Sequence, residues 1–327
     1  MIKKHSTILL TTAVLLTSLA HATAKKTAGE PEMVFQIAPY ESLLNKDIQR
    51  GDKNSEAFKK IKKDWGRSSP IPLYRLKVVT FSYVDFNGKQ HQNGECVVMD
   101  AVAPRVLTIF KELYKRQFPI HQAKRIEFFG ADDDRSIDAN NSSSYNARTN
   151  IGDSSYPSMH AYGLAIDINP VQNPFHSFKN DAAKKQGIRQ TKPAAGSEQY
   201  INRRRARNDK LPGLAEGIID IFDNNGFNTW GGDWNDPIDW QHFQTSRALA
   251  NLLTVMSPQD AEVFFEMHAE TPALMRTFPA KETLLIDLYQ ENPEKFMAIF
   301  IANPSLFSLS DKDQAIRSIN KQWEKIA

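Results

Sequence analysis

The chain has 327 residues, 41% hydrophobic and 24% charged, proportions that exclude a disordered or fibrous protein and leave room for one sizeable core. Its 41 lysines and arginines barely exceed its 38 aspartates and glutamates, so global charge makes no case for nucleic acid as a partner. The single cysteine, Cys96, excludes an internal disulfide.

The first residues combine a basic start at Lys3 and Lys4, an apolar stretch from Ile8 to Ala20 and a small-x-small site at Ala20-His21-Ala22. This pattern predicts a signal peptide over 1–22, hence export to the periplasm or beyond the cell. The apolar run falls short of the ~20 residues that span a bilayer, so no stable membrane span is expected after processing. Residues 23–70 are polar, lysine-rich and weakly periodic, and read as an N-terminal extension.

Alternation begins at Leu76. Two β-rich runs flank Asn87-Gly88 and predict a hairpin that ends near Met99. Cys96 falls in the second run and reads as a buried strand residue and not as a nucleophile. A helix is expected to open at Pro104, with Val106, Phe110, Leu113 and Tyr114 on its apolar face. Ile126 to Phe129 reads as a strand, and Leu214 to Asn225 as a helix stopped by Gly226. Hairpins and helices without a βαβ rhythm predict an α+β domain over 71–247. From 248 to 327 the pattern is helical only, and reads as an appendage without catalytic motifs.

Two stretches carry chemistry. The first is Ser158-Met159-His160-Ala161-Tyr162-Gly163-Leu164-Ala165-Ile166-Asp167. For His160 and Asp167 to meet one ion the chain must bend between them, and Gly163 permits that bend. Asp167 would project from a strand and His160 from the loop before it. The second stretch runs from Trp230-Gly231-Gly232 to Asp239-Trp240-Gln241-His242-Phe243, where a spacing of three would put Asp239 and His242 on one side of a helical turn. Two imidazoles and one carboxylate, His160, His242 and Asp167, make a set of three protein ligands for a single Zn2+ with an open fourth position. Asp239 then becomes the candidate base for the hydrolysis of an amide. No His-Glu-x-x-His or Gly-x-Ser-x-Gly occurs, which excludes the common helix-borne zinc protease and the serine elbow.

These two motifs resemble those of the zinc D-alanyl-D-alanine carboxypeptidases and L-alanyl-D-glutamate endopeptidases, which share a fold with the hedgehog signalling domain. The pattern Ser-x-His-x-x-Gly-x-Ala-x-Asp is matched from Ser158 to Asp167, and Asp/Glu-x-x-His at Asp239 and His242, within a resemblance over roughly 73–245. The resemblance implies the same three ligands and the same base, and places Arg148 against the substrate carbonyl. It implies that Ser158 hydrogen-bonds substrate or orients the site. An aspartate base with Trp-Gly-Gly upstream looks more like the endopeptidase branch. Ala147 and Gln244 depart from the residues common among relatives.

The polar connection over 171–212 is long enough to suggest a functional loop, with Arg203 expected to meet a peptide carboxylate. The expected activity is cleavage of peptidoglycan stem peptides at the L-alanyl-D-glutamate bond. The alternatives are a D-alanyl-D-alanine carboxypeptidase and a non-catalytic, zinc-stabilised cell-wall binding module.

Overall fold

The computed structural model describes residues 32–51, 55–56, 58–59, 69–150, 155–178, 180–204, 211–271, 282–308 and 312–325. The export signal read at 1–22 lies outside them, as do Arg205 and Arg207 of the polar connection. The organising sheet is antiparallel in the order β1 (Phe35–Pro39), β2 (Leu76–Val84) and β3 (Gln90–Met99). β2 and β3 form the expected hairpin around Asn87-Gly88, where Gly88 takes a positive φ of 77°. Cys96 is buried in β3, and burial pushes its thiol up to about 12, so it stays protonated and inert.

β1 and the helix after it, α1 (Tyr40–Arg50), revise the reading of 23–70 as an extension. Phe35 pairs with Phe81 and Pro39 with Lys77, and the Tyr40 hydroxyl bonds Glu127. Arg125 ties this segment down from below. Its guanidinium meets Asp47 of α1 at 2.5 Å and Glu95 of β3 at 2.8 Å, and is almost fully enclosed. A strand pairing at a sheet edge buries alternate residues only in part, so composition alone gave it little signal.

α2 (Ala103–Lys115) opens with Pro104 in its first turn and lays Val106, Ile109, Phe110 and Leu113 on the sheet. The Phe110 ring stacks on Phe81 at 3.5 Å between centroids. Burying each such side chain contributes about 1.5–3 kcal/mol. Ile126–Phe129 is a short 3-10 turn and not a strand, closed by Gly130 at a φ of 73°. A four-residue apolar run does not distinguish the two states.

β4 (Gln122–Ala123) pairs in parallel with β5 (Asn141–Ser142), on either side of the short helix α3 (Asp133–Asp138). Two small antiparallel sheets then build the site. One has the order β6 (Ala165–Asp167), β11 (His242–Gln244), β9 (Thr229–Trp230), and the other β10 (Ile238–Asp239), β7 (Phe175–Phe178), β8 (Arg189–Lys192). The long connection after 171 therefore contains a hairpin. The helix expected from Leu214 is broken at Ile218 into a 3-10 turn and α4 (Ile219–Asp223), with Ile218, Ile221 and Phe222 buried as expected. Mixed helix and small sheets make the architecture α+β.

The helices α5 (Arg247–Val255), α6 (Pro258–Glu270), α7 (Glu282–Glu291), α8 (Pro293–Ala302) and α9 (Lys312–Lys325) follow. They are not an appendage to the core. Leu249, Leu253, Phe264, Phe265, Phe296 and Phe300 belong to the same buried cluster as Val79 and Phe110. Arg75, itself buried, donates to Asp100 and to the carbonyls of Leu253 and Met256 at the end of α5, which locks helix to sheet. No helix among the described residues is long and apolar enough to cross a membrane.

Candidate metal centre and cleft

His160 lies in a 3-10 turn, Met159–Tyr162, whose N-cap Ser158 accepts from the His160 amide. Gly163 ends the turn at a φ of 68°, and its carbonyl accepts from Met99 N at 3.0 Å. A Cβ there would stand 2.6 Å from Met99 N, so the bend foreseen between His160 and Asp167 needs glycine twice over. β6 then delivers Asp167. In the register of β6 with β11, His242 sits directly opposite Asp167, which makes the two side chains cross-strand neighbours.

The expected helical turn from Asp239 to His242 does not form. Asp239 ends β10, His242 opens β11, and Trp240-Gln241 carries the chain from one sheet to the other. Gly231 lets the β9 end close over this crossing. A Cβ on it would lie 2.4 Å from the Asp239 carbonyl oxygen.

The hydrogen bonds around the histidines fix their tautomers. His160 Nδ1 lies 2.5 Å from the Ser144 carbonyl oxygen, which can only accept, so the proton is on Nδ1 and the Nε2 lone pair turns inward. His242 Nε2 gives its proton to Gln244 Oε1 at 2.8 Å and leaves the Nδ1 lone pair facing in. His160 Nε2 is then 3.2 Å from His242 Nδ1 and 3.2 Å from Asp167 Oδ2, and His242 Nδ1 is 3.0 Å from Asp167 Oδ1. Three electron-rich groups thus converge, buried, with the ligand atoms all within 4.8 Å of one another. That donor set suits a divalent cation, since two neutral imidazoles and a carboxylate repel one another without a positive charge between them.

The potential here favours positive charge. Burial pulls the His242 imidazole down, but Asp167 beside it overcomes this and leaves it raised. Asp167 is held far below the usual carboxylate range despite its burial, by His160 and His242. Asp239 behaves oppositely. Burial and the charge of Asp167 push it up to about 6, and its Oδ1 is enclosed without a hydrogen-bond partner.

Two cavities meet at this centre. One of about 260 Å³ exposes His160 and His242 and is lined also by Ser158, Trp234, Arg247 and Gln244. The other, about 310 Å³, lies along the β7–β8 hairpin and takes in Asp133, Asp134, Asp167, Gln190 and Lys192. Arg148, Phe175 and Asp239 line both. Arg148 is half-buried, reaches Asp133 at 3.2 Å and has a buried Nε without a partner.

Arg203, expected to meet substrate, is instead spent inside the protein. Its Nε and Nη2 hold Glu216 at 2.7 and 2.6 Å, Nη1 bonds the carbonyls of Gln172 and Tyr200, and Nη2 also reaches Asn173. All five N–H groups are engaged, and the guanidinium stacks on Trp240 at 5.0 Å. The hairpin within 171–212 does border the cleft, through Phe175, Ser177 and Lys192.

Sequence reading missed Ser144, the partnering role of Gln244, and the cleft residues Phe175, Trp234 and Arg247. Gln244 was within reach, since residues two apart on a strand share a face, but a helical turn at 239–242 hid that relation.

A family model described as D-alanyl-D-alanine carboxypeptidase matches residues 152–245. The match takes in Ser158, His160, Asp167, Asp239 and His242, and excludes Arg148 and all helices from α5 onward. No curated protein and no solved structure matches the chain.

Proposed function

We propose that this chain is a zinc-dependent peptidase acting on peptidoglycan stem peptides. The observation that carries the proposal is the convergence of His160 Nε2, His242 Nδ1 and an Asp167 carboxylate oxygen at a cleft wall that also presents Asp239. The family description of the matched segment supports the substrate class.

His160, Asp167 and His242 would hold the ion, which supplies Lewis acidity toward the scissile carbonyl and activates water for attack. Asp239 accepts the proton of the attacking water and passes it to the leaving amine. Burial, which disfavours its charged form, makes its carboxyl a stronger base than an ordinary aspartate. Arg148, which lines both cavities, would donate to the oxygen on which charge develops. Ser158 acts indirectly, by capping the turn that presents His160.

Space on both sides of Arg148 and Asp239 favours an endopeptidase, with the L-alanyl-D-glutamate bond as the preferred target. The family description favours the second reading, a D-alanyl-D-alanine carboxypeptidase. Incubation of the mature protein with peptidoglycan, with and without a chelator, separates them by product mass. New termini at L-alanine support the first, released D-alanine the second, and no chelator-sensitive cleavage would leave only a binding module.

A further inference from the structure

The cavity that exposes His160 and His242 is lined by two guanidiniums, Arg148 and Arg247, against one carboxylate, Asp239. Arg148 already has Asp133 at 3.2 Å. Arg247 has no ion pair among the described residues. One of its arms, Nη1, donates to the Pro157 carbonyl at 2.8 Å, and its plane lies over the Tyr162 ring at 5.3 Å from the centroid. These contacts hold the group in place and leave further N–H donors for a ligand.

The backbone beneath it is equally fixed. Arg247 is the first residue of α5, capped by Ser246 and anchored by buried Leu249, Ala250, Leu252 and Leu253, and the helix begins three residues after Gln244 ends β11. The second cavity has the opposite character, with Asp133, Asp134, Asp167 and Asp239 against Arg148 and Lys192. Charge is thus segregated across the centre. A ligand lying through both cavities would put its anionic part on the Arg247 side.

We propose that Arg247 binds a carboxylate of the peptide substrate in the cavity beside His160 and His242, and thereby sets which peptides are accepted. The inference rests on the peptidase reading for the nature of the ligand. It gives Arg247 the specificity role that the sequence suggested for Arg203. Two sources of the carboxylate share this chemistry: the free C-terminus of the peptide, or an acidic side chain next to the scissile bond.

The test uses metal-loaded full-length mature protein and two matched pairs of synthetic peptides. One pair differs as C-terminal acid against amide, the other as glutamate against glutamine beside the scissile bond. Binding is measured by calorimetry and cleavage separately, for wild type, Arg247→Met and Arg247→Lys. Wild type should favour the acid member of one pair by roughly 10- to 100-fold in Kd, the range of a charge-assisted hydrogen bond, and that pair identifies the source. Arg247→Met should erase the preference and Arg247→Lys keep part of it. No preference in wild type for either pair overturns the proposal without any variant, as does a preference that survives in Arg247→Met. Cleavage without an Arg247-dependent preference rejects this inference alone. A preference without cleavage rejects the peptidase reading and leaves the carboxylate site standing.

Discussion

Asp239 and Gln244 differ in how they act at the proposed centre, and the difference is measurable. Asp239 presents an enclosed, unpartnered Oδ1 beside the three convergent ligands without being one of them. Asp239→Asn should therefore retain metal and lose kcat by about 10²- to 10⁴-fold, the usual contribution of a positioned base. Metal content by mass spectrometry alongside kinetics checks this, and a metal-loaded Asn variant within tenfold of wild type would reject the assignment. Gln244 touches His242 and fixes which nitrogen carries the proton. Gln244→Leu frees that proton's position, and metal affinity in a chelator competition should fall by roughly 10- to 100-fold, as for other partners of ligand histidines. Unchanged affinity would mean that His242 is held by Asp167 and the strand alone.

At the scale of elements, the ends of β6 and β11 matter more than their length. Their register sets His242 against Asp167, and the turn ending at Gly163 brings His160 to them. Gly163→Ala should cost at least about 1–2 kcal/mol from the left-handed backbone alone, with more from a Cβ 2.6 Å from Met99 N, read as a lowered Tm. A variant as stable as wild type would show that the turn relaxes freely. This bend was legible because a histidine and an aspartate seven apart cannot share one face of a straight strand. The hairpin was legible through Asn87-Gly88. The crossing at Trp240-Gln241 was not, since a spacing of three fits a helical turn as well as two short strands in different sheets. Arg203 misled for a similar reason: a sequence shows the cation, but the acceptors that consume it, Glu216 and the Gln172 carbonyl, depend on tertiary placement.

Across the whole molecule, the helices from α5 onward belong to the same core as the sheet and do not hang from it. α5 begins at the cleft and ends under the buried Arg75 clamp, and α6 packs Phe264, Phe265 and His268 into the interior. His268 makes the stability of this assembly depend on pH. Burial pulls its imidazole from 6.5 down to about 4 in the folded chain. Well above pH 6.5 the ring is neutral in both states and this contribution to stability is complete. As pH falls from 6.5 toward 4, the unfolded chain takes up a proton that the folded chain refuses, so stability is lost through that window. At pH 5 the loss amounts to about 2 kcal/mol, from a folded value of about 4 against 6.5 unfolded. His268→Leu fills the same space with a side chain that does not titrate. The fall in Tm between pH 7 and pH 5 should therefore be smaller in His268→Leu than in wild type, and an equal fall in both would show that other groups carry the acid sensitivity.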